Sequence, residues 1–264
     1  MKVLHFYKSY FPDSVGGIEQ VIRQIAHSTS SLGVQTEVLA LTKSKVERTV
    51  KVDNHYVHRC LSNFEISSTP FSASCFLRFS QLAKEADIVH YHFPYPFADL
   101  LHFITRVNKP SILTYHSDIV KQKTLLKIYQ PLMYKFLSSV NNIVSTSPNY
   151  LKSSIVLSEF KDKVKVIPIG LDKSTYLIPN EDRLVHWQRK FGKKFFLFVG
   201  VMRYYKGLHI MIEAAHDSDY PIVVVGAGPI EIELKAQVES LGIKNIYFVG
   251  FVPDEDKVAL IKLS

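Results

Sequence analysis

A chain of 264 residues has room for one large or two medium domains, and 47% apolar with 21% charged residues is the composition of a globular protein. Cys60 and Cys75 are the only cysteines, which excludes a disulfide framework or a zinc-ligand spacing and points to a reducing cytoplasm. The net charge of +8 lies entirely in residues 1–178, where 21 Lys and Arg face 13 Asp and Glu, while residues 179–264 hold 11 of each.

A basic first part predicts an anionic surface, polymer or phospholipid as its partner. No recognition motif speaks for nucleic acid. Lys2 to Tyr7 reads as a buried strand. The opening run is not a signal peptide, because Lys8 interrupts it, and no run approaches the roughly 20 apolar residues that span a bilayer. The expected protein is soluble or peripheral.

The loop Lys8 to Gly17 is rich in turn formers and ends in Gly16 and Gly17. Ile18 to Ser30 then carries Ile18, Val21, Ile22, Ile25 and Ala26 at helical spacing. Strand, glycine loop and helix present backbone amides to an anion, although a tight turn explains a lone Gly pair equally well. The loop lacks the G-x-G-x-x-G dinucleotide fingerprint.

Val34 to Leu41 is a second strand, Val50 to Cys60 a further extended segment and Phe71 to Lys84 a helix. Asp87 to Phe93 is a strand with His90 and His92 on one side; no nearby carboxylate or Cys completes a metal site, so a polar strand end facing a cleft is the reading. Pro110 to His116 is another strand. A histidine at its carboxyl end, His116, stands where open α/β sheets bind ligands, or else caps the next helix.

Val120 to Ser139 interleaves Lys121, Lys123, Lys127 and Lys135 with Leu, Ile, Tyr, Met and Phe, and Pro131 is expected to bend or interrupt it. Such a helix suits an anionic membrane face; a core-packed helix with a lysine-rich solvent side is the alternative. Asn142 to Ser145 reads as a strand, Pro148 to Leu157 as a helix and Val164 to Pro168 as a strand, with a linker over residues 169–183.

Beyond the linker the alternation restarts. Phe195 to Val199 is read as a strand buried on both faces, followed by a loop with Arg203, Lys206 and Gly207 and a helix from Leu208. Two cations and backbone amides aimed at one point suit a diphosphate, although a solvated loop would look the same. Pro221 to Val225 precedes Gly226-Ala-Gly228-Pro, a nucleotide-type turn in which Glu231 replaces the third glycine of a dinucleotide site. Asn245 to Val249 closes the pattern. Alternating strands and helices predict an α/β fold: two Rossmann-like domains with parallel sheets, residues 1–178 and 179–264, the second incomplete, with a cleft between them.

Taken in order, Gly16-Gly17, TYHSD at 114–118, STSPNY at 145–150, VIPIGLD at 166–172, FVGVMRYYKG at 198–207, VVVGAGP at 223–229 and FVGFVPDEDK at 248–257 resemble glycosyltransferase family 4. These are retaining enzymes of the GT-B fold, and YHFPYPF, TYHSDIVKQK and RYYKGLHI are similar to bacterial O-antigen mannosyltransferases.

The resemblance implies a nucleotide-sugar donor, GDP-mannose before UDP sugars, with no metal or other cofactor. It implies an undecaprenyl-diphosphate-linked acceptor at the inner face of the cytoplasmic membrane. Gly16 and Gly17 would lie beside sugar and diphosphate, and His116 would contact the transferred sugar. Lys206, with Gly207, would bind the diphosphate; Arg203 stands two positions past the family's usual arginine, where this chain has Val201. The Gly226 and Gly228 turn belongs to the same donor side. Val252, Asp254 and Lys257 match positions that read guanine. Family members continue with two glutamates eight positions apart and a final helix, neither present here, so the 264-residue chain alone is expected to be inactive, with a catalytically silent nucleotide-sugar-binding remnant as the alternative.

Overall fold

The computed structural model describes the chain apart from residues 46–47, 121–122, 171–176, 193 and 217 and the side chain of Lys123. Its contacts divide into two units, Met1–Asp172 and Lys173–Ser264.

In the first unit the strands β1 (Lys2–Phe6), β2 (Gln35–Thr42), β3 (Thr49–Val52), β4 (His55–Leu61), β7 (Ile88–Phe93), β8 (Ser111–Tyr115), β9 (Asn142–Ser145) and β10 (Val164–Val166) form one sheet. Its order is β10-β9-β8-β7-β1-β2-β4-β3. Every pairing is parallel except β3 with β4. The expected extended segment over Val50 to Cys60 is therefore a hairpin, closed by the two-residue turn Asp53-Asn54 with Asp53 at φ 50°. A second hairpin, β5 (Phe64–Ile66) with β6 (Thr69–Phe71), stands apart from the sheet and was not apparent from alternation, its strands being three residues each.

Helix α1 (Gly17–Ser30) follows β1, and α2 (Ala73–Glu85), α3 (Pro96–Ile104) and α4 (Lys123–Ser139) belong to the same unit. Phe6, Tyr91, Phe93 and Leu113 alternate onto the sheet face that meets Phe79 of α2, Leu101 of α3 and Phe136 of α4, all of them buried. Tyr91 and Phe136 meet edge to face at 5.0 Å. The sequence reading does not assign helix α3; its polar residues, Asp99 and His102, are both buried. Pro131 lies inside α4 rather than ending it.

The helix expected over Pro148 to Leu157 is two short ones, α5 (Pro148–Ser153) and α6 (Ile155–Glu159). Ser154 between them is extended and caps α6 by accepting from the Leu157 amide.

In the second unit, α7 (Glu181–Phe191) begins inside the stretch read as a linker, with Asn180 accepting from the Asp182 amide as its cap. Strands β11 (Phe196–Val199), β12 (Ile222–Val225) and β13 (Ile246–Gly250) alternate with α8 (Leu208–Ala214), α9 (Glu231–Ser240) and α10 (Asp254–Leu263). All pairings are parallel, in the order β11-β12-β13.

The expectation that β11 is buried on both faces fails. Phe196 is 61% and Val199 41% exposed, because β11 is an edge and β12 the centre. Small apolar clusters cover the two faces of β12: Trp187, Phe191, Val223 and Leu260 on one, Met202, Leu208, Ile212 and Val224 on the other.

Candidate functional site

The loop after β1 is held from inside by a carboxylate. Glu19, three residues past the α1 cap Gly16, is buried and accepts hydrogen bonds from the Ser9 and Ser14 hydroxyls, both at 2.9 Å. A Cβ on Gly16 would stand 2.4 Å from Glu19 Oε2, so glycine there makes room for the carboxylate; at Gly17 a Cβ would meet nothing within 4 Å. The sequence reading missed Glu19: with Gly16 as the cap there is no capping box, and its partners Ser9 and Ser14 lie in the loop before the helix.

Register brings four histidines together. His5 of β1 is paired with His90 of β7, His92 lies two residues on along the same face, and His116 follows β8. His5 Nδ1 is 3.0 Å from His92 Nε2, and His92 Nδ1 is 3.1 Å from His116 Nε2. The rings stack, with His5 to His92 at 5.3 Å and His92 to His116 at 5.4 Å, both tilted by 20°. His90 stacks on His92 at 4.6 Å, and its Nε2 meets the Thr114 hydroxyl at 2.8 Å.

Ring nitrogens of His5, His90 and His92 lie within 4.8 Å of one another, but those of His5 and His92 are engaged with each other in a hydrogen bond. His90 and Thr114 also line a cavity of about 620 Å³ under α1, but His90 and His92 are both buried, so the strand end expected to face a cleft lies largely inside the unit. His5 could not be added to the pair from sequence, since 85 residues separate it from His90.

Burial holds these imidazoles neutral. His90 is pushed down to about 3 and His116 to about 4. His5 and His92 fall well below the usual histidine value, first through burial and then through the neighbouring rings. Downstream, Asp118 ties the loop carrying His116 to the rest of the unit. Its Oδ1 accepts from the Tyr115 hydroxyl at 2.8 Å and from the Ser154 hydroxyl at 2.9 Å.

In the second unit the loops after β11 and β12 are pressed together, and glycines allow it. Gly226, at φ 118°, would place a Cβ 2.1 Å from the Gly200 carbonyl oxygen, and Gly228 one 2.2 Å from that of Met202. The Met202 amide donates to the Ala227 carbonyl at 3.0 Å. Both glycines, expected on the donor side, therefore have a packing reason of their own: they seat the loop that carries Arg203 and Lys206.

That loop forms one 3-10 turn, Tyr204–Lys206, and Gly207 at φ 71° starts α8 with open space around its α-carbon. Arg203 and Lys206 are exposed, with no carboxylate among the described residues at ion-pair distance from either; the Lys206 ammonium lies 5.6 Å from the centre of the Tyr205 ring.

Val252 packs its side chain into the core beside Trp187, and Asp254 and Lys257 pair with each other at the start of α10. Asp256, absent from the expectations, is buried and accepts from the Trp187 indole at 2.8 Å, with Arg183 at 3.4 Å.

Of the helix lysines, Lys121 and the side chain of Lys123 lie outside the described residues. Lys127 is exposed, and the Lys135 ammonium sits 4.9 Å from the centre of the Phe103 ring. Met133, Phe136 and Leu137 anchor α4 in the core, while Ile128 is 76% exposed. Ile128, Leu125 and Tyr129 line an apolar groove of about 350 Å³ together with Ile66, Phe71 and Lys8. Among the described residues no helix is long and apolar enough to cross a membrane.

Comparison with known proteins gives this geometry its setting. Residues 15–175 match the model for Glycosyltransferase Family 4, and residues 182–264 that for Glycosyl transferases group 1. The chain is 54% identical over 264 residues to D-rhamnosyltransferase WbpZ of Pseudomonas aeruginosa, covering all of this chain and 69% of that protein. It is 46% identical over 263 residues to O-antigen chain mannosyltransferase C of Escherichia coli, covering 71% of it. Among solved structures, sucrose-phosphate synthase from Thermosynechococcus elongatus superposes with a TM-score of 0.75 at 15% identity over all of this chain and 73% of the other, a likeness of fold. Two Rossmann-like parallel sheets, the GT-B-type neighbour and these matches agree: the chain belongs to glycosyltransferase family 4.

Proposed function

We propose that this protein transfers mannose or 6-deoxymannose, with retention, from a GDP-sugar to a polyisoprenoid-diphosphate-linked O-antigen chain at the inner face of the membrane. The observation that carries the reading is the match along the whole chain to two relatives, one named for D-rhamnose and one for mannose on O-antigen chains. Those sugars differ only in the hydroxyl at C6, so one nucleotide and one pyranose frame serve both.

The local chemistry supports it. Arg203 and Lys206, exposed at a turn and without carboxylate partners among the described residues, suit the charge that grows on a departing diphosphate. No side chain need act as nucleophile; the leaving phosphate oxygen can take the proton of the acceptor hydroxyl. On the acceptor side, the apolar groove along α4 with Lys8 and exposed Lys127 nearby suits an isoprenoid diphosphate at a lipid surface.

Calorimetric titration with GDP, UDP, GDP-mannose and GDP-rhamnose tests the donor. GDP should bind at least tenfold tighter than UDP, about 1.4 kcal/mol; equal affinity would remove guanine recognition from the reading. Transfer from the preferred donor to a lipid-linked acceptor, with the anomeric configuration read by NMR, tests the reaction.

A further inference from the structure

His5, His92 and His116 form a continuous hydrogen-bonded row running from a buried strand to the half-buried end of β8. All three rings are neutral, so the row contains three ring protons. Each of its two contacts, at 3.0 and 3.1 Å, must hold one proton. Two protons in a contact would oppose two donors, and none would oppose two lone pairs, both unfavourable for buried groups. The third proton therefore sits at one end of the row, on His116 Nδ1 or on His5 Nε2. If it sits on His116 Nδ1, that nitrogen is a donor and every contact runs outward from His5. If it sits on His5 Nε2, every contact runs inward and His116 Nδ1 is an acceptor. Intermediate arrangements break a contact, so the three tautomers change only together.

We propose that His5 and His92 are positioning residues for the transfer reaction: they fix the tautomer of His116, and so decide whether its Nδ1 donates to or accepts from the transferred sugar. His92 touches His116 directly; His5 acts through it. The stacking of His90 on His92 and its bond to Thr114 keep the middle ring from turning. The arrangement is the hydrogen-bond counterpart of an orienting partner behind a functional imidazole.

The inference rests on the proposed reading only in giving His116 a sugar to face, and its test does not need activity. The whole chain, labelled with 15N-histidine, is examined by NMR for ring tautomers and for nitrogen–nitrogen couplings across the two contacts. In the unaltered chain His116 should be a single tautomer and both couplings should be visible. In His5→Phe, which leaves the His92 to His116 contact untouched, His116 should become a mixture. In His5→Asn, whose amide stands where Nδ1 stood, the single tautomer should return. A His116 that is mixed in the unaltered chain, or that keeps its tautomer in folded His5→Phe, would overturn the proposal. Absence of either coupling in the unaltered chain would also overturn the proposal, with no variant needed. Where transfer is measurable, kcat should fall roughly tenfold or more in His5→Phe with the donor KM unchanged, and recover in His5→Asn. An equal loss in both variants would mean a packing role alone.

Discussion

Adding a methyl group at selected glycines tests how the second unit holds its basic loop. Gly226→Ala combines two costs, a backbone at φ 118° and a Cβ 2.1 Å from the Gly200 carbonyl oxygen. Strain of about 1–3 kcal/mol and overpacking of about 1–3 kcal/mol give roughly 2–6 kcal/mol. Gly228→Ala has the clash without the positive φ, its Cβ meeting three backbone atoms of Met202 at 2.2–2.7 Å, so about 1–3 kcal/mol is expected. Gly207→Ala has the left-handed backbone at φ 71° and open space, so about 1–2 kcal/mol. Against a typical domain stability of about 5–15 kcal/mol the first loss is large and the last modest.

Trp187, the only tryptophan, lies buried in the core of the second unit, so its fluorescence in urea follows that unit. The expected order of loss is Gly226, then Gly228, then Gly207, with Gly17→Ala leaving the Trp187 transition unchanged. A Gly226→Ala protein within about 1 kcal/mol of the unaltered chain would refute the reasoning, because either the clash or the strain would then be absent.

Three further outcomes follow from the same description. Lys206→Ala should weaken GDP binding about tenfold or more by calorimetry, with Lys206→Arg intermediate and neither moving the Trp187 transition, since this ammonium is exposed and outside the core. Asp256→Ala should lower the Trp187 transition by about 2–3 kcal/mol, because it strands a buried indole N–H and removes the Arg183 pairing.

In the first unit, His90 and His116, held at about 3 and 4, and His5 and His92, held lower than usual, bind fewer protons folded than unfolded below pH 6.5. Their stabilisation is complete above pH 6.5 and is lost as pH falls toward 4, by up to about 1.4 kcal/mol per pH unit for each ring. Buried Asp99 works in the opposite sense. Burial raises its carboxyl to about 8, so its contribution is full below pH 4 and is lost as pH rises through 8. Far-UV circular dichroism against urea at pH 4.5, 6.5 and 8.5 should show a maximum near neutrality, and Asp99→Asn should flatten the alkaline side and steepen the acid side, because the Asp99 contribution falls all the way from pH 4 to 8. A stability of the first unit that is level from pH 6.5 to 4.5 would count against neutral buried rings.

Where apolar periodicity was strong the fold was legible. Leu4 and Phe6, Val89 and Tyr91, and Val223 and Val225 mark buried strands by composition alone, and their parallel pairing follows from the helices between them. Where an element is short or has its polar residues buried it was not. Phe64–Ile66 and Thr69–Phe71 pair over three residues each, and in Pro96–Ile104 the polar residues Asp99 and His102 are both buried, so no solvent-facing polar side marks it as a helix. The expected full burial of Phe195 to Val199 failed because an apolar run does not say which strand of a sheet is central.

For the site, individual residues were legible and partnerships were not. His90, His92 and His116 stood out at strand ends, but that His92 meets both His116 and His5 depends on β7 lying between β8 and β1. Gly226 and Gly228 were noticed as a turn. That they face the backbone of Gly200 and Met202 is a fact of packing that only coordinates supply.

Among the described residues, the three-stranded sheet of the second unit is bonded on both sides only at β12. In native-state hydrogen exchange, then, Ile222–Val225 should be the last amides of that unit to exchange, while β11 and β13 open from their outer sides. The basic loop departs from β11, one of those outer strands. In a chain of these 264 residues, the loop can therefore open at the free-energy cost of a local fluctuation while β12 stays paired on both sides.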